Sequence, residues 1–347
     1  MLRVGIAGIG FMGWIHWLAY KQIPGVQVAA VCEQNEKRLA GDWTDIKGNF
    51  GPPGEHVDLS GLACYHELDK MLADPSLDYI DVCLPPNLHV DIVTRAATAG
   101  KHVFCEKPLA LTVEECQRAV DHCRASGRLL LVGHVLPFFP EYAEARRHID
   151  SGKYGKLLGG TFKRVISDPL WLPDFYDPRR VGGPLIDLHI HDAHFIRLLF
   201  GMPTALSSRG RRRGEVVDYC HTQFEFADPS LVVSSVMGVI NQQGRPFTHG
   251  FEIHLEQATI QYEFAGFEDH GETMPLKILD RQGKVIRPKL ESTDPLDGFV
   301  AEITEVANSM SSGTPSAILS GDLAVDAVRI ANGQSRSVLD GQRIEIQ

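Results

Sequence analysis

The sequence predicts a two-domain α/β protein, in which a doubly wound parallel sheet precedes a second α/β domain built on a mainly antiparallel sheet. Three observations carry this. Over the first 133 residues, β-rich runs alternate with amphipathic helical segments, as parallel βαβ units require. Gly8-Ile9-Gly10-Phe11-Met12-Gly13 stands between the first such run and the first helix. After about residue 135, β-rich runs follow one another mostly without helices between them, which favours antiparallel pairing through turns. A chain of 347 residues accommodates two domains. The division falls at 1–133 and 134–347, with the C-terminal helices free to pack back on the first domain.

In the first domain, strands are expected at 3–7, 27–32, 79–83, 102–105 and 129–132, and helices at 12–22, 89–99 and 113–125. Thr112 is placed as an N-cap, and Glu115 completes a capping box. Gly100 and Gly127 stand where helices stop. The stretch 41–60, with Gly51-Pro52-Pro53-Gly54, reads as a surface insertion. In the second domain, strands are expected at 159–166, 216–226, 231–240, 251–255 and 259–264, with one helix at 184–199 among them. The arginines at 209–213 read as a basic hairpin loop. The tail is helical at 296–311 and 322–335 and closes on a short strand at 344–346.

The net charge of -10 is spread along the chain, which argues against a nucleic-acid backbone or an anionic membrane surface as partner. The seven cysteines are scattered without a CxxC pair, so neither a zinc ribbon nor a disulfide framework is expected, and a cytoplasmic location fits. Residues 4–20 are apolar enough to suggest a signal peptide, but glycines at dinucleotide-binding spacing explain the run better, and no stretch reads as a membrane span.

The glycine motif points to a Rossmann dinucleotide site. Gly8 makes the tight turn, Gly10 lets the backbone approach a pyrophosphate, and Gly13 lets helix pack on strand, while the helix start, with Phe11 and Met12, offers N–H groups to the phosphates. Glu33 ends the second strand, where the fingerprint expects an acid for the adenine ribose. A carboxylate there repels a 2′-phosphate, so NAD is expected rather than NADP. Lys37 and Arg38 read as a solvated helix face.

Three further clusters carry chemistry. Cys83-Leu84-Pro85-Pro86-Asn87-Leu88-His89 follows the third main strand and Glu106-Lys107-Pro108 the fourth, at the carboxyl ends where ligands bind in such sheets. Leu84, Pro85, Asn87, His89, Glu106 and Lys107 are therefore cofactor-binding candidates, and the Lys107–Pro108 bond is expected to be cis. In Asp187-Leu188-His189-Ile190-His191-Asp192-Ala193-His194, helical periodicity puts Asp187, His191 and His194 on one face and turns His189 away. These residues alone leave three readings open: an acid–base site, packed rings with local ion pairs, or a metal site. No further ligand is recognisable by motif, so no metal is expected. Trp171, Asp174 and Tyr176, just before this segment, are either substrate-facing or a packing lid, and His221, His249 and His254 read as structural.

Taken together, VGIAGIGFMG, LPPNLH, GKHVFCEKPLA, the VGH…FFPEY stretch and GGPLIDLHIHDAHFIRLLFG resemble the Gfo/Idh/MocA oxidoreductases, named for glucose-fructose oxidoreductase, inositol dehydrogenase and a rhizopine-catabolism protein. The resemblance is nearly continuous over the Rossmann half and extends to about residue 201. It implies a second domain with an open, mainly antiparallel sheet, a homodimer or homotetramer, and oxidation or reduction of a hydroxyl or carbonyl of a sugar, inositol or related polyol. Lys107 falls on the family's active-site lysine, and Asp187 and His191 on the aspartate and histidine of its second-domain motif. The chemistry agrees: an imidazole, with an unperturbed pKa of ~6.5, can take the hydroxyl proton, and an ammonium can stabilise charge on the same oxygen. His194, Trp171 and Tyr176 are candidates for substrate contact. Pro137 stands where many relatives carry arginine, and His189 and His194 where other branches carry glycine and aspartate, so the substrate does not carry over. The expected activity is that of an NAD-dependent dehydrogenase acting on CH–OH groups. The alternatives are redox-neutral glycoside cleavage through transient C3 oxidation on held NAD, and a non-catalytic NAD-binding relative.

Overall fold

The computed structural model describes residues 1–48, 50–172, 174–290, 292 and 294–346. It divides into two compact units, residues 1–139 with 292–325 and residues 140–291 with 326–347. The division thus comes six residues after the expected boundary, and a C-terminal segment returns to the first unit.

The first unit opens with β1 (Leu2–Ala7), α1 (Phe11–Tyr20), β2 (Val26–Cys32), α2 (Glu36–Leu39), β3 (Ala63–Tyr65) and α3 (Leu68–Leu72). It continues with β4 (Tyr79–Val82), α4 (Pro86–Thr98), β5 (His102–Glu106), α5 (Val113–Ala125) and β6 (Leu130–Gly133). Among the described residues, its strands pair in parallel in the order β3-β2-β1-β4-β5-β6. The chain winds outward from β1 through β2 to β3, then restarts at β4 on the other side of β1. The carboxyl ends of β1 and β4 therefore flank the topological switch point, where ligands bind in open α/β sheets. Every residue of β4 is buried, as a strand covered on both faces should be. Thr112 caps α5, its hydroxyl oxygen accepting the Glu115 N–H at 3.2 Å.

The segment 41–60, of which Asn49 lies outside the described residues, is irregular but not a mere surface insertion. Trp43 is fully buried and meets Trp14 and Trp17 edge-on, with centroids 5.8 and 5.2 Å away. The Trp14 indole N–H donates to the Pro52 carbonyl at 2.9 Å. Three indoles supply more apolar area than a solvated loop can leave exposed, so the loop folds onto α1.

The second unit contains α6 (Pro140–Asp150), β7 (Leu157–Ser167), α7 (Pro184–Asp187), α8 (Ile190–Phe200), β8 (Ala205–Arg213) and β9 (Val216–Glu225). β10 (Val232–Ile240), β11 (Phe247–Leu255), β12 (Ala258–Gly266), β13 (Gly271–Asp280) and β14 (Val285–Ile286) follow. α9 (Pro295–Ser312) belongs to the first unit, α10 (Gly321–Asp340) starts in the first and ends in the second, and β15 (Ile344–Glu345) closes the second. The sheet order among the described residues is β14-β13-β12-β11-β7-β10-β9-β8-β15, antiparallel except where β7 meets β10. Residues 209–213 are not a loop: they form the second half of β8, paired with β9 up to Arg213 opposite Val216. Two of the arginines find aromatic partners there, the Arg211 guanidinium lying over Tyr219 at 5.3 Å and that of Arg213 over Tyr176 at 4.2 Å.

In the first unit, α9 supplies Phe299, Ile303 and Val306 to the core that holds Ile6, Trp14, Ile15 and Phe104. Asp294 starts this helix by accepting the Leu296 N–H at 2.9 Å. The three apolar residues share one stripe, and that stripe also carries Glu302, which is fully buried with them.

Candidate active site

The three glycines of the first turn meet different surroundings. Gly8 has φ +95°, and a Cβ there would stand 2.7 Å from the Cys83 carbonyl oxygen. At Gly13 a Cβ would stand 2.2 Å from the Gly8 carbonyl oxygen, so helix and strand close only on glycine. At Gly10, the N-cap of α1, a Cβ would meet nothing within 4 Å. Two glycines are thus demanded by the protein's own packing. The third leaves open space at a helix N-terminus, where a pyrophosphate is bound by N–H groups and the helix dipole.

Glu33 is held beside this turn. One carboxylate oxygen accepts the Ile9 N–H and the other the Asn35 N–H, each at 2.8 Å. Arg38 is not a solvated residue. It donates to the Ile9 carbonyl at 2.9 Å and to both Asp45 oxygens at 3.2 and 2.8 Å. The Asn35 side chain explains this placement: it accepts the Lys37 and Arg38 N–H groups, starting α2 so that Arg38 faces back toward the glycine turn.

At the end of β4, Pro85 is the N-cap of α4 and Pro86 its first residue. Leu84 is half-buried, while Pro85 and Asn87 are exposed. His89 departs from its expected role as a cofactor contact. Its ring is fully buried, with one nitrogen 2.7 Å from the Leu84 carbonyl oxygen and the other 2.7 Å from that of Pro108. His89 therefore packs between the loops after β4 and β5, its neutral ring donating its single N–H to one of these two carbonyls. Burial pushes its pKa down. Lys107 is half-buried, whereas every other residue of 103–110 is buried, and its bond to Pro108 is cis. The Lys107 N–H donates to the Glu106 carboxylate at 3.1 Å.

Beneath Glu106 lies a polar cluster that the sequence reading did not single out. His16 Nδ1 is 2.8 Å from Asp81 Oδ2, and His16 Nε2 is 3.1 Å from Glu106 Oε1. The Tyr20 hydroxyl donates to Asp81 at 2.9 Å, and the Cys83 thiol lies 3.3 Å from His16 Nδ1. Burial alone would lower the His16 pKa, but Asp81 and then Cys83 outweigh it and hold the imidazole well above its ordinary value. Glu302 completes the group. It is fully buried, neither carboxyl oxygen has a hydrogen-bond partner among the described residues, and burial followed by Glu106 pushes its pKa well up. His16, Asp81 and Cys83 offer atoms within 4.8 Å of one another, close enough for a metal. Both His16 nitrogens already face carboxylates, however, so the ring acts as a double N–H donor rather than as a ligand with a free lone pair. The signal in the sequence was a lone acid, Asp81, in an otherwise apolar strand, and a lone histidine in the apolar helix Trp14-Ile15-His16-Trp17. A buried polar residue in such a run needs a partner.

In the second unit the motif segment is not one continuous helix. α7 ends at Asp187, and α8 begins at Ile190. The break is a turn in which the His189 N–H reaches back five residues to the Pro184 carbonyl. Asp187 and His191 thus belong to separate elements, with His194 on the same helix as His191. Both Asp187 and His191 are half-buried, with buried residues from Leu188 to Ile190 between them, and His194 is fully buried. His189 is buried as well, 3.1 Å from the Gln334 amide nitrogen.

Asp192 is committed to structure. Arg164 donates to its two oxygens at 2.5 and 3.2 Å, and both side chains are buried. Burial would raise the Asp192 pKa, but Arg164 and His189 hold it below the usual carboxylate value. Trp171 is 60% exposed. Tyr176 is engaged instead: its hydroxyl donates to Asp168 at 2.6 Å, and Arg213 pairs with that same carboxylate at 2.5 Å. Asp174 pairs with Arg180 at 2.7 Å. Of the strand histidines, His249 is buried and accepts from or donates to the Tyr142 hydroxyl at 2.9 Å.

Residues 2–134 match the family profile described as an oxidoreductase family with an NAD-binding Rossmann fold, and residues 142–261 match the GFO/IDH/MocA C-terminal domain. The myo-inositol 2-dehydrogenase of Thermotoga maritima is 25% identical over 100% of this chain and 99% of its own. The scyllo-inositol 2-dehydrogenase (NAD(+)) of Bacillus subtilis is 29% identical over 60% of this chain, and the match spans 57% of that relative's length. Among solved structures, levoglucosan dehydrogenase in complex with NADH and levoglucosan superposes with a TM-score of 0.80 over 99% of each chain at 21% identity, a likeness of fold.

Proposed function

The chain belongs to the Gfo/Idh/MocA oxidoreductase family, and from that premise we propose an NAD-dependent dehydrogenase acting on a sugar, inositol or related polyol. The observation that carries this reading is the glycine turn. Gly8 and Gly13 are closed against their neighbours while Gly10 opens onto free space at the start of α1, as a pyrophosphate cradle requires. The inositol and levoglucosan relatives support the substrate class.

When bound, NAD supplies the hydride acceptor. The chain supplies the rest. Glu33, already fixed by two backbone N–H groups, takes the ribose hydroxyls and repels a 2′-phosphate. Arg38 does not offset that repulsion, because its charge is matched by Asp45. Leu84, Pro85 and Asn87 form the cofactor-side loop, and Glu106 orders the backbone of Lys107. Lys107, the accessible residue of its run, donates to the reacting oxygen and stabilises negative charge developing there. His191 takes the hydroxyl proton, and Asp187 binds a substrate hydroxyl or sets the charge of that imidazole. Their half-exposed side chains in otherwise buried surroundings support these roles. The same reading makes the protein a cytoplasmic homodimer or homotetramer, in keeping with cysteines that are all unpaired.

The test is a panel of inositols, polyols and sugars with NAD, followed by NADH absorbance, alongside calorimetric NAD binding. Turnover on at least one polyol or sugar is expected. NAD binding with no NADH from any member overturns the dehydrogenase reading, and no NAD binding overturns the site itself.

A further inference from the structure

We propose that His16 is a positioning residue for Lys107, its ring bridging Asp81 and Glu106 so that Glu106 stays turned toward the Lys107 amide. This rests on the reading of Lys107 as the residue that meets the reacting oxygen.

The geometry runs through three elements of the first unit. α1 carries His16 in its apolar face, three residues beyond the glycine that closes helix on strand. β4 supplies Asp81 to one ring nitrogen at 2.8 Å, and β5 supplies Glu106 to the other at 3.1 Å. The second Glu106 oxygen accepts the Lys107 N–H at 3.1 Å. A neutral imidazole has one N–H and one lone pair, and a lone pair facing a carboxylate oxygen at either distance is repelled. With both carboxyls ionised, two N–H donors are needed to satisfy both contacts, and the raised pKa of the ring agrees with an imidazolium.

The groups around His16 are Tyr79 and Asp81 from β4, Cys83 just after that strand, Glu106 from β5 and Glu302 from α9, with Tyr20 of its own helix donating to Asp81. Phe104 stacks on the ring at 5.3 Å, and Phe299 lies 6.1 Å away. No water-exposed group can replace His16 in this layer, since its side chain and that of Asp81 are fully buried and that of Glu106 nearly so. Gly133 leaves the room the carboxylate needs: a Cβ there would stand 2.9 Å from Glu106 Oε1. Removing the imidazolium leaves two buried carboxylates without a counter-charge, which is strongly unfavourable. Glu106 then has to take up a proton or turn away, and either change releases the amide that orders Lys107. A catalytic group displaced by about 1 Å can lose about 10²-fold in rate.

The experiment is a double-mutant cycle on kcat with His16→Gln, Glu106→Gln and both together, with NAD affinity measured by calorimetry and folding by circular dichroism. Each single variant is expected to lose about 10- to 100-fold in kcat with NAD affinity within about threefold, and the double variant to be no worse than Glu106→Gln. Multiplying losses, or a kcat for His16→Gln equal to that of the parent, overturn the proposal. Should His16→Gln fail to fold, nitrogen NMR of the intact protein decides. Both His16 ring nitrogens protonated at pH 8 support the bridge, and one unprotonated nitrogen overturns it. Lys107→Ala, assayed in parallel, separates the two readings, because full activity there removes Lys107 from the chemistry whatever His16 does.

Discussion

The Glu33 carboxylate accepts the Ile9 N–H at 2.8 Å, so the acid at the end of β2 also pins the backbone of the glycine turn. An acid there has two consequences at once. It selects against a 2′-phosphate by charge, and it holds the turn in shape before any ligand arrives. The two can be separated by substitution.

Glu33→Gln retains a side-chain oxygen for the Ile9 N–H but removes the charge. It should keep NAD affinity within about fivefold while the preference for NAD over NADP falls at least about tenfold, or about 1.4 kcal/mol. Glu33→Ala should lose the same preference and weaken NAD binding as well, because the Ile9 donor is left without its partner. Calorimetric titration of both variants with both dinucleotides checks this. An unchanged ratio in Glu33→Gln would remove the carboxylate from the ribose.

A second prediction concerns Glu302. Its carboxyl is raised in the folded state, so the folded protein holds a proton that the unfolded chain releases above the carboxyl's ordinary value of 4.5. Stability from this group is therefore full below that pH and is lost as pH rises toward the folded value. The raised His16 acts in the same direction, its contribution being full below 6.5 and lost at higher pH. Glu302→Gln keeps shape and neutrality and should leave the melting temperature at pH 6 within about 2 °C, while raising it at pH 9. Melting curves from pH 5 to 9 check this, and equal slopes in parent and variant would count against a protonated Glu302.

The βαβ alternation, the glycine turn and the ends of β4 and β5 were legible because each rests on local periodicity or on a glycine that only one backbone shape demands. Thr112 was legible for the same reason, since a cap is read within four residues. The His16 cluster was not, because its members come from α1, β4, β5 and α9, and nothing local pairs residue 16 with residues 81, 106 and 302. The break after Asp187 escaped because the apolar pattern of Pro184–Phe200 stays helical on both sides of a turn that shifts the register. β8 escaped because four arginines read as solvent, whereas the guanidinium groups of Arg211 and Arg213 lie over Tyr219 and Tyr176. Arg38 was misjudged through its neighbours in sequence, when the partner that matters is Asp45 across the turn.

The Arg164–Asp192 pair should behave as a buried ion pair. Asp192→Asn leaves the guanidinium without a counter-charge and should cost about 3–5 kcal/mol in urea unfolding, while a double replacement by apolar residues of similar volume should cost less. Asp192 is held low in the folded state, so its contribution is full above 3.8 and lost as pH falls through the folded value. A change under about 1 kcal/mol for Asp192→Asn would show the pair to be solvated.

The last prediction separates the two histidines of α8. His191 is half-buried and His194 fully buried, on the same helix and three residues apart. If His191 moves the hydroxyl proton, His191→Ala should lose about 10²–10⁴-fold in kcat with NAD affinity and melting temperature near those of the parent. His194→Ala removes a packed ring from the core and should cost about 2–4 kcal/mol of stability, with a kcat per folded molecule within about tenfold of the parent. Steady-state kinetics over pH 5 to 10, paired with urea unfolding of both variants, distinguishes the outcomes. The reverse pattern, with His194→Ala folded but inactive and His191→Ala active, would move the proton transfer three residues along the helix and leave Asp187 without its assigned partner.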